Sequence, residues 1–120
     1  MAHERLATAR AMLDLGDYKA AANRLYYAVF SAMRAVLALD GFDSKKHSGI
    51  IARFRQCYIK SGIFSTEMSK IIDDLKVIRE DSDYDDFYII SKEDVSIQSQ
   101  KAEYFVFEVE KFLITKFDHK

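Results

Sequence analysis

Ala20-Ala21-Ala22-Asn23-Arg24-Leu25-Tyr26-Tyr27-Ala28-Val29-Phe30-Ser31-Ala32-Met33-Arg34-Ala35-Val36-Leu37 is apolar nearly all round when wound as a helix. A helix of that kind is buried in the middle of a bundle. Asn23, Tyr27, Ser31 and Arg34 nevertheless recur at i, i+4, i+8 and i+11. At about 100° per residue they fall within roughly 80° of one another, so they form one polar stripe on a buried helix. A buried polar group without a partner costs about 1–3 kcal/mol. The partners are other side chains, a second subunit or a ligand, which makes the stripe either an internal network or a functional groove.

Working outward, Asp17 is placed to cap this helix, which runs to about Leu39 and ends at Asp40-Gly41. A preceding helix spans about Glu4 to Leu15, with Leu6, Ala9 and Leu13 at helical spacing and Gly16 as its stop. A basic loop, Asp43-Ser44-Lys45-Lys46-His47, leads into a third helix from about Ser48 to Lys60. Thr66 to about Glu80 forms a fourth, with Met68, Ile71, Ile72, Leu75 and Ile78 as its apolar stripe. Ser91-Lys92-Glu93-Asp94 has capping-box character and opens a fifth that runs to about Phe117. Proline is absent and there are only 4 glycines, which argues against a turn-rich β fold. The expectation is an all-α, up-and-down bundle of four to five helices, with residues 1–120 as a single domain.

The composition, 49% hydrophobic and 31% charged over 120 residues, excludes a disordered chain. No apolar run approaches the ~18–20 residues of a membrane span. Met1-Ala2-His3-Glu4-Arg5 lacks the apolar core of a signal peptide, and the lone Cys57 suits a reducing, cytoplasmic setting. The net charge of -1 hides a polarity: residues 1–60 carry ten bases and five acids. The bases are dense from Lys45 to Lys60, a patch that suits a phosphate backbone or an acidic partner. The overall balance lacks the basic bias of a duplex-DNA binder, so sequence-specific DNA binding is not expected.

Four ordered pieces of the chain carry a resemblance. Asn23-Arg24-Leu25-Tyr26-Tyr27-Ala28-Val29-Phe30 resembles the N-R-x-Y-Y-A-x-F signature of HEPN domains, the higher-eukaryote and prokaryote nucleotide-binding superfamily. Gly16-Asp17-Tyr18 resembles its G-D-Y lead-in, Lys46-His47-Ser48-Gly49 its K-H-x-G step, and Arg79 with Ser82-Asp83-Tyr84 its R-x-x-[SA]-D-Y motif. The match covers almost the whole chain and is closest to the short stand-alone prokaryotic branch. The resemblance implies an up-and-down helical bundle, often a homodimer, commonly paired with a minimal nucleotidyltransferase in a toxin–antitoxin module. It also implies that nucleotide or RNA is the ligand and that no cofactor or metal is needed. Many members are ribonucleases using R-x(4–6)-H, with the histidine as general acid/base at the 2′-hydroxyl.

That catalytic motif is missing. None of His3, His47 and His119 has an arginine at the required distance before it. Counting from Arg79, the histidine position is held by Tyr84, a poor base at neutral pH with its ordinary pKa of ~10. His47, beside Lys46, is the other candidate base. The expected ligand-binding set is therefore Asn23, Tyr27, Arg34, Lys46, His47, Arg79, Asp83 and Tyr84, with Arg79 as a phosphate clamp meeting the Asn23/Tyr27 stripe. Arg79, Tyr84 and His47 are the catalytic candidates if the chain cleaves RNA. Asp83 is expected to orient Arg79 or cap a turn.

Two other patterns point away from chemistry. Asp81-x-Asp83-x-Asp85 imitates the start of an EF-hand loop, but Asp86 stands where glycine is required and Lys92 where glutamate is, so calcium binding is not expected. Cys57 has no nearby histidine in sequence and is expected to pack. In the last helix Phe105, Val109 and Phe112 share a face as core, which leaves Phe107 and Phe117 as interface candidates.

Overall fold

The computed structural model describes residues 2–84 and 91–118, with side chains for 3–80 and 91–117. Among the described residues five α-helices run α1 (Ala2–Asp14), α2 (Tyr18–Ala38), α3 (His47–Phe54), α4 (Thr66–Tyr84) and α5 (Lys92–Asp118). The expected helical bundle is what forms, and α2 lies at its centre. Ala21, Leu25, Ala28, Met33, Val36 and Leu37 are wholly enclosed there, and α1, α3, α4 and α5 all pack against it. The small residues among them let neighbouring backbones approach closely, which is how a helix with an all-round apolar surface becomes a bundle axis.

The α1–α2 hairpin is set by local chemistry. Gly16 takes φ 81°, a left-handed conformation that closes α1, while the Asp17 N–H returns to the Met12 carbonyl at 2.9 Å. The Asp17 carboxylate then accepts from the Ala20 N–H at 3.1 Å and starts α2.

The third helix departs from expectation. α3 ends at Phe54 and continues as one π-helical turn over Arg55–Ile59, with the Lys60 N–H bonded to the Arg55 carbonyl at 2.8 Å. Two side chains use that turn. Arg55 donates to Ser69 Oγ at 2.9 Å and to Asp73 at 2.6 Å on α4. The Tyr58 hydroxyl donates to Asp40 Oδ2 at 2.6 Å, at the end of α2. Burial, then the Asp40 hydrogen bond and charge, push the Tyr58 phenol up to about 12.

α4 extends past the expected Glu80 to Tyr84. Acids near a helix C-terminus cost only a few tenths to ~1 kcal/mol each when exposed, too little to stop an extra turn. Among the described residues no helix is long and apolar enough to cross a membrane.

The core has an aromatic end. Phe54 stacks with Tyr58, Phe64 and Phe105 at centroid distances of 5.8, 5.5 and 5.8 Å, and Phe112 closes on Tyr58 and Phe64. Cys57 is half-buried and packs against this cluster. Phe107 and Phe117, by contrast, are 56% and 60% exposed. Phe105 is fully buried where α5 meets this group. Phe105→Ala is expected to lower stability by about 3–5 kcal/mol in urea melts; a loss under ~1 kcal/mol would show that the ring is not a core anchor.

Candidate functional site

α4 buries Ile72 and Leu75, and Arg79 follows them at i+7 and i+4, on the same face. A core-facing position is thus occupied by a cation, and it points at α2. The Arg79 Nε–H donates to Asn23 Oδ1 and an Nη2–H to the Tyr27 hydroxyl, both at 3.3 Å. Those bonds sit at the long end of the range, so ring faces share the work of holding the group. The guanidinium carbon is 4.9 Å from the Tyr26 centroid and 5.3 Å from that of Tyr27. The helix-spaced pair Asn23 and Tyr27 and the distant Arg79 form one half-buried cluster.

His47 enters from the start of α3. Its ring lies 4.1 Å from Phe30, 5.9 Å from Tyr26 and 5.7 Å from Tyr27, centroid to centroid. The Tyr26 hydroxyl is 3.2 Å from His47 Nδ1 and can donate to it when the ring carries its proton on Nε2. Gly49 gives this docking its room. A Cβ there would lie 2.6 Å from Ser44 Oγ and 3.2 Å from its Cβ, so a side chain at 49 would force Ser44 to shift where the loop folds back on the first turn of α3. Ser44 Oγ in turn accepts from the Lys46 N–H at 3.2 Å.

The electrostatics follow from this packing. Burial pushes the Tyr26 phenol up, against the pull of the Arg79 charge, with Tyr27 and Glu80 adding to the rise. Burial lowers the His47 imidazole, and the Arg79 and Arg34 charges lower it further. His47 is therefore a neutral ring at neutral pH, in the positive field of two guanidinium groups.

The family model for the HEPN domain matches residues 1–113 of this chain. The chain belongs to the HEPN family. It is similar to a Thermotoga maritima protein named "UPF0332 protein", 32% identical over 112 residues, which are 93% of this chain and 85% of the relative. It is also similar to the Methanocaldococcus jannaschii protein "Putative toxin MJ0142", 31% identical over 99 residues, 82% of this chain and 67% of the relative. An Archaeoglobus fulgidus "UPF0332 protein" is 34% identical over 106 residues, covering 88% of this chain and 83% of the relative.

Within this HEPN domain the remaining candidates separate. Arg34 Nη2 and Nε bond the Asp43 carboxylate at 2.7 and 3.2 Å, so the fourth member of the polar stripe is held by the basic loop rather than by Arg79. That pairing, together with the Ser44 N–H, holds the Asp43 carboxyl below its usual range. Lys46 is exposed beside His47, and Lys45, Arg53 and Lys60 are also exposed, with Lys60 at the far end of the helical stretch that His47 opens, whereas Arg55 is drawn out of the basic patch by Ser69 and Asp73. The side chains of Asp81, Asp83 and Tyr84, and residues 85 and 86 of the EF-hand-like stretch, lie outside the described residues. No group of three or more His, Cys, Asp or Glu poised for a metal occurs among the described residues.

Three site residues escaped the sequence reading. Tyr26 and Phe30 stand in the HEPN signature, which was a usable signal, yet they read as core. Arg5 lies over the Tyr27 ring at 5.4 Å and carries no signal in its surroundings.

His47 ties stability to pH. The unfolded chain takes up its proton near the ordinary value of about 6.5. The folded chain takes it up only at lower pH. Stability is therefore expected to fall as pH drops below about 6.5 and to level off beneath the folded value. Thermal melts between pH ~7.5 and ~5.5 should show this fall in the wild type and a flatter profile in His47→Gln; parallel profiles would assign the titration elsewhere.

Proposed function

We propose that this HEPN protein binds a phosphate-bearing ligand, nucleotide or RNA, through the Arg79 cluster, as a component of a prokaryotic toxin–antitoxin-type module. The observation that carries this reading is the orientation of Arg79. Asn23 and Tyr27 receive two of its five N–H donors, and two tyrosine rings flank the group. A guanidinium fixed in that way loses little further side-chain entropy on meeting a phosphate, and its planar charge matches that ligand. The exposed Lys46 and the positive field at His47 favour the same class of ligand. The Methanocaldococcus jannaschii relative has the word toxin in its name, which supports the module. In that module a minimal nucleotidyltransferase is the protein partner, and Phe107 and Phe117 supply exposed apolar surface for homodimer or partner contacts. The setting is cytoplasmic.

A second reading rests on one specific observation. His47 is kept neutral within the field of Arg79, the protonation state that a general base needs. With Nδ1–H donating to the Tyr26 oxygen, Nε2 would be free to take a proton from a 2′-hydroxyl. In this reading the chain is a metal-independent ribonuclease toxin, with His47 or Tyr84 in place of the missing motif histidine.

The two readings separate in one assay. Labelled single-stranded RNA is incubated with wild type, Arg79→Ala and His47→Ala in the presence of EDTA, and both binding and cleavage are followed. Binding without cleavage is expected for the wild type, with Arg79→Ala weaker by on the order of tenfold or more. Equal binding by Arg79→Ala would remove the clamp. Cleavage lost in both variants would establish the ribonuclease instead.

A further inference from the structure

α5 carries more apolar surface than the bundle uses. Its inner face supplies Val95, Ala102, Phe105, Val106 and Val109 to the core. Yet of the nine large apolar side chains left exposed among the described residues, five belong to this one helix: Ile97, Tyr104, Phe107, Ile114 and Phe117. The first four are 44, 38, 56 and 58% exposed. At about 100° per residue they fall within roughly 100° of one another, so they form one seam along the outer side of the helix. At 1.5 Å per residue that seam is about 26 Å long, and Phe117 flanks it. Lys111 crosses it with Nζ 5.1 Å from the Phe107 ring centroid, and the ring stays more than half open all the same. A contiguous apolar stripe of this kind marks an interaction surface.

The spacing of the seam points to its occupant. Ile97, Tyr104, Phe107 and Ile114 stand at intervals of seven, three and seven, the a and d spacing of a coiled coil. Those intervals read the same in both directions. When a second α5 lies antiparallel on the first, Ile97 meets Ile114 and Tyr104 meets Phe107, and the two-fold axis repeats both contacts. In the same register the exposed Gln100 meets the exposed Lys111, an amide oxygen facing an ammonium group. A polar pair within such a seam fixes its register. On one flank Lys101 comes opposite Glu108. On the other Glu103 comes opposite Glu110, and α1 of each copy already partners both acids, through Arg10 and His3. A partner of unrelated sequence has no need of a palindrome, whereas a second copy does.

We propose that the outer face of α5 docks a second copy of this chain, with the two α5 helices antiparallel, Ile97 on Ile114 and Tyr104 on Phe107. This gives the homodimer a face, a direction and a register, and it stands whether or not phosphate binds at Arg79.

Two measurements on the full chain test it. Sedimentation equilibrium from about 1 to 300 µM reads the association. The wild type should reach twice the mass of one chain. Phe107→Glu, shown by its melting curve to be folded, should associate on the order of a hundredfold more weakly, because the change is made twice in a two-fold contact. Direction is read by disulfide capture with Gln100→Cys and Lys111→Cys, both at exposed positions, in a Cys57→Ser background. Antiparallel pairing gives a cross-linked dimer in the mixture of the two variants and none in either alone. A wild type that stays monomeric to ~300 µM would overturn the proposal, as would unchanged association of Phe107→Glu. Cross-linking of either variant alone, or none in the mixture, would overturn the antiparallel register.

Discussion

The arrangement depends on a cation set in a core position. α4 presents an apolar face to α2 through Ile72 and Leu75, and one turn later the same face presents Arg79. A guanidinium there is tolerable only where acceptors and ring faces replace its water. α2 supplies both: Asn23 and Tyr27 as acceptors, and Tyr26 and Tyr27 as rings. The polar pair Asn23 and Tyr27 on an otherwise enclosed helix and the Arg79 charge in the last third of α4 are two halves of one interaction. Each explains the presence of the other.

Around that contact two stretches of α2 take different tasks. Near its C-terminus the helix meets an aromatic cluster of Phe54, Tyr58, Phe64, Phe105 and Phe112, with Tyr58 anchored to Asp40. That end holds the bundle together. At its middle Tyr26, Tyr27 and Phe30 face charged and titratable groups from α1, α3 and α4. The tight 43–46 loop, packed against Gly49, delivers His47 there, and Asp43 secures Arg34 at its edge.

Periodicity made much of this legible. The spacing of Asn23 and Tyr27 marks a polar face, while Arg79 stands out through the HEPN resemblance and its phosphate-clamp chemistry, and their meeting is expected on those grounds together. A stripe defines a face, however, and not the partner of each member. Arg34 lies on the stripe by angle, yet the adjacent loop takes it through Asp43. Arg55 counts toward a basic patch by sequence, yet a π-helical turn aims it at Ser69 and Asp73. Nothing in Arg55–Ile59 announces a turn of that kind, since it arises from packing. Arg5 was invisible for a related reason: its partner is a ring on another helix, and no local pattern specifies a contact of that sort.

The interaction on which all this rests can be measured without any ligand. A double-mutant cycle with Asn23→Ala, Arg79→Ala and the double variant, read by urea unfolding, isolates their coupling from the separate effects of each truncation. A favourable coupling of about 1 kcal/mol is expected for a half-buried hydrogen bond to a charged group. Strictly additive effects, within ~0.3 kcal/mol, would show that Asn23 does not hold Arg79 and would contradict the site built on that contact.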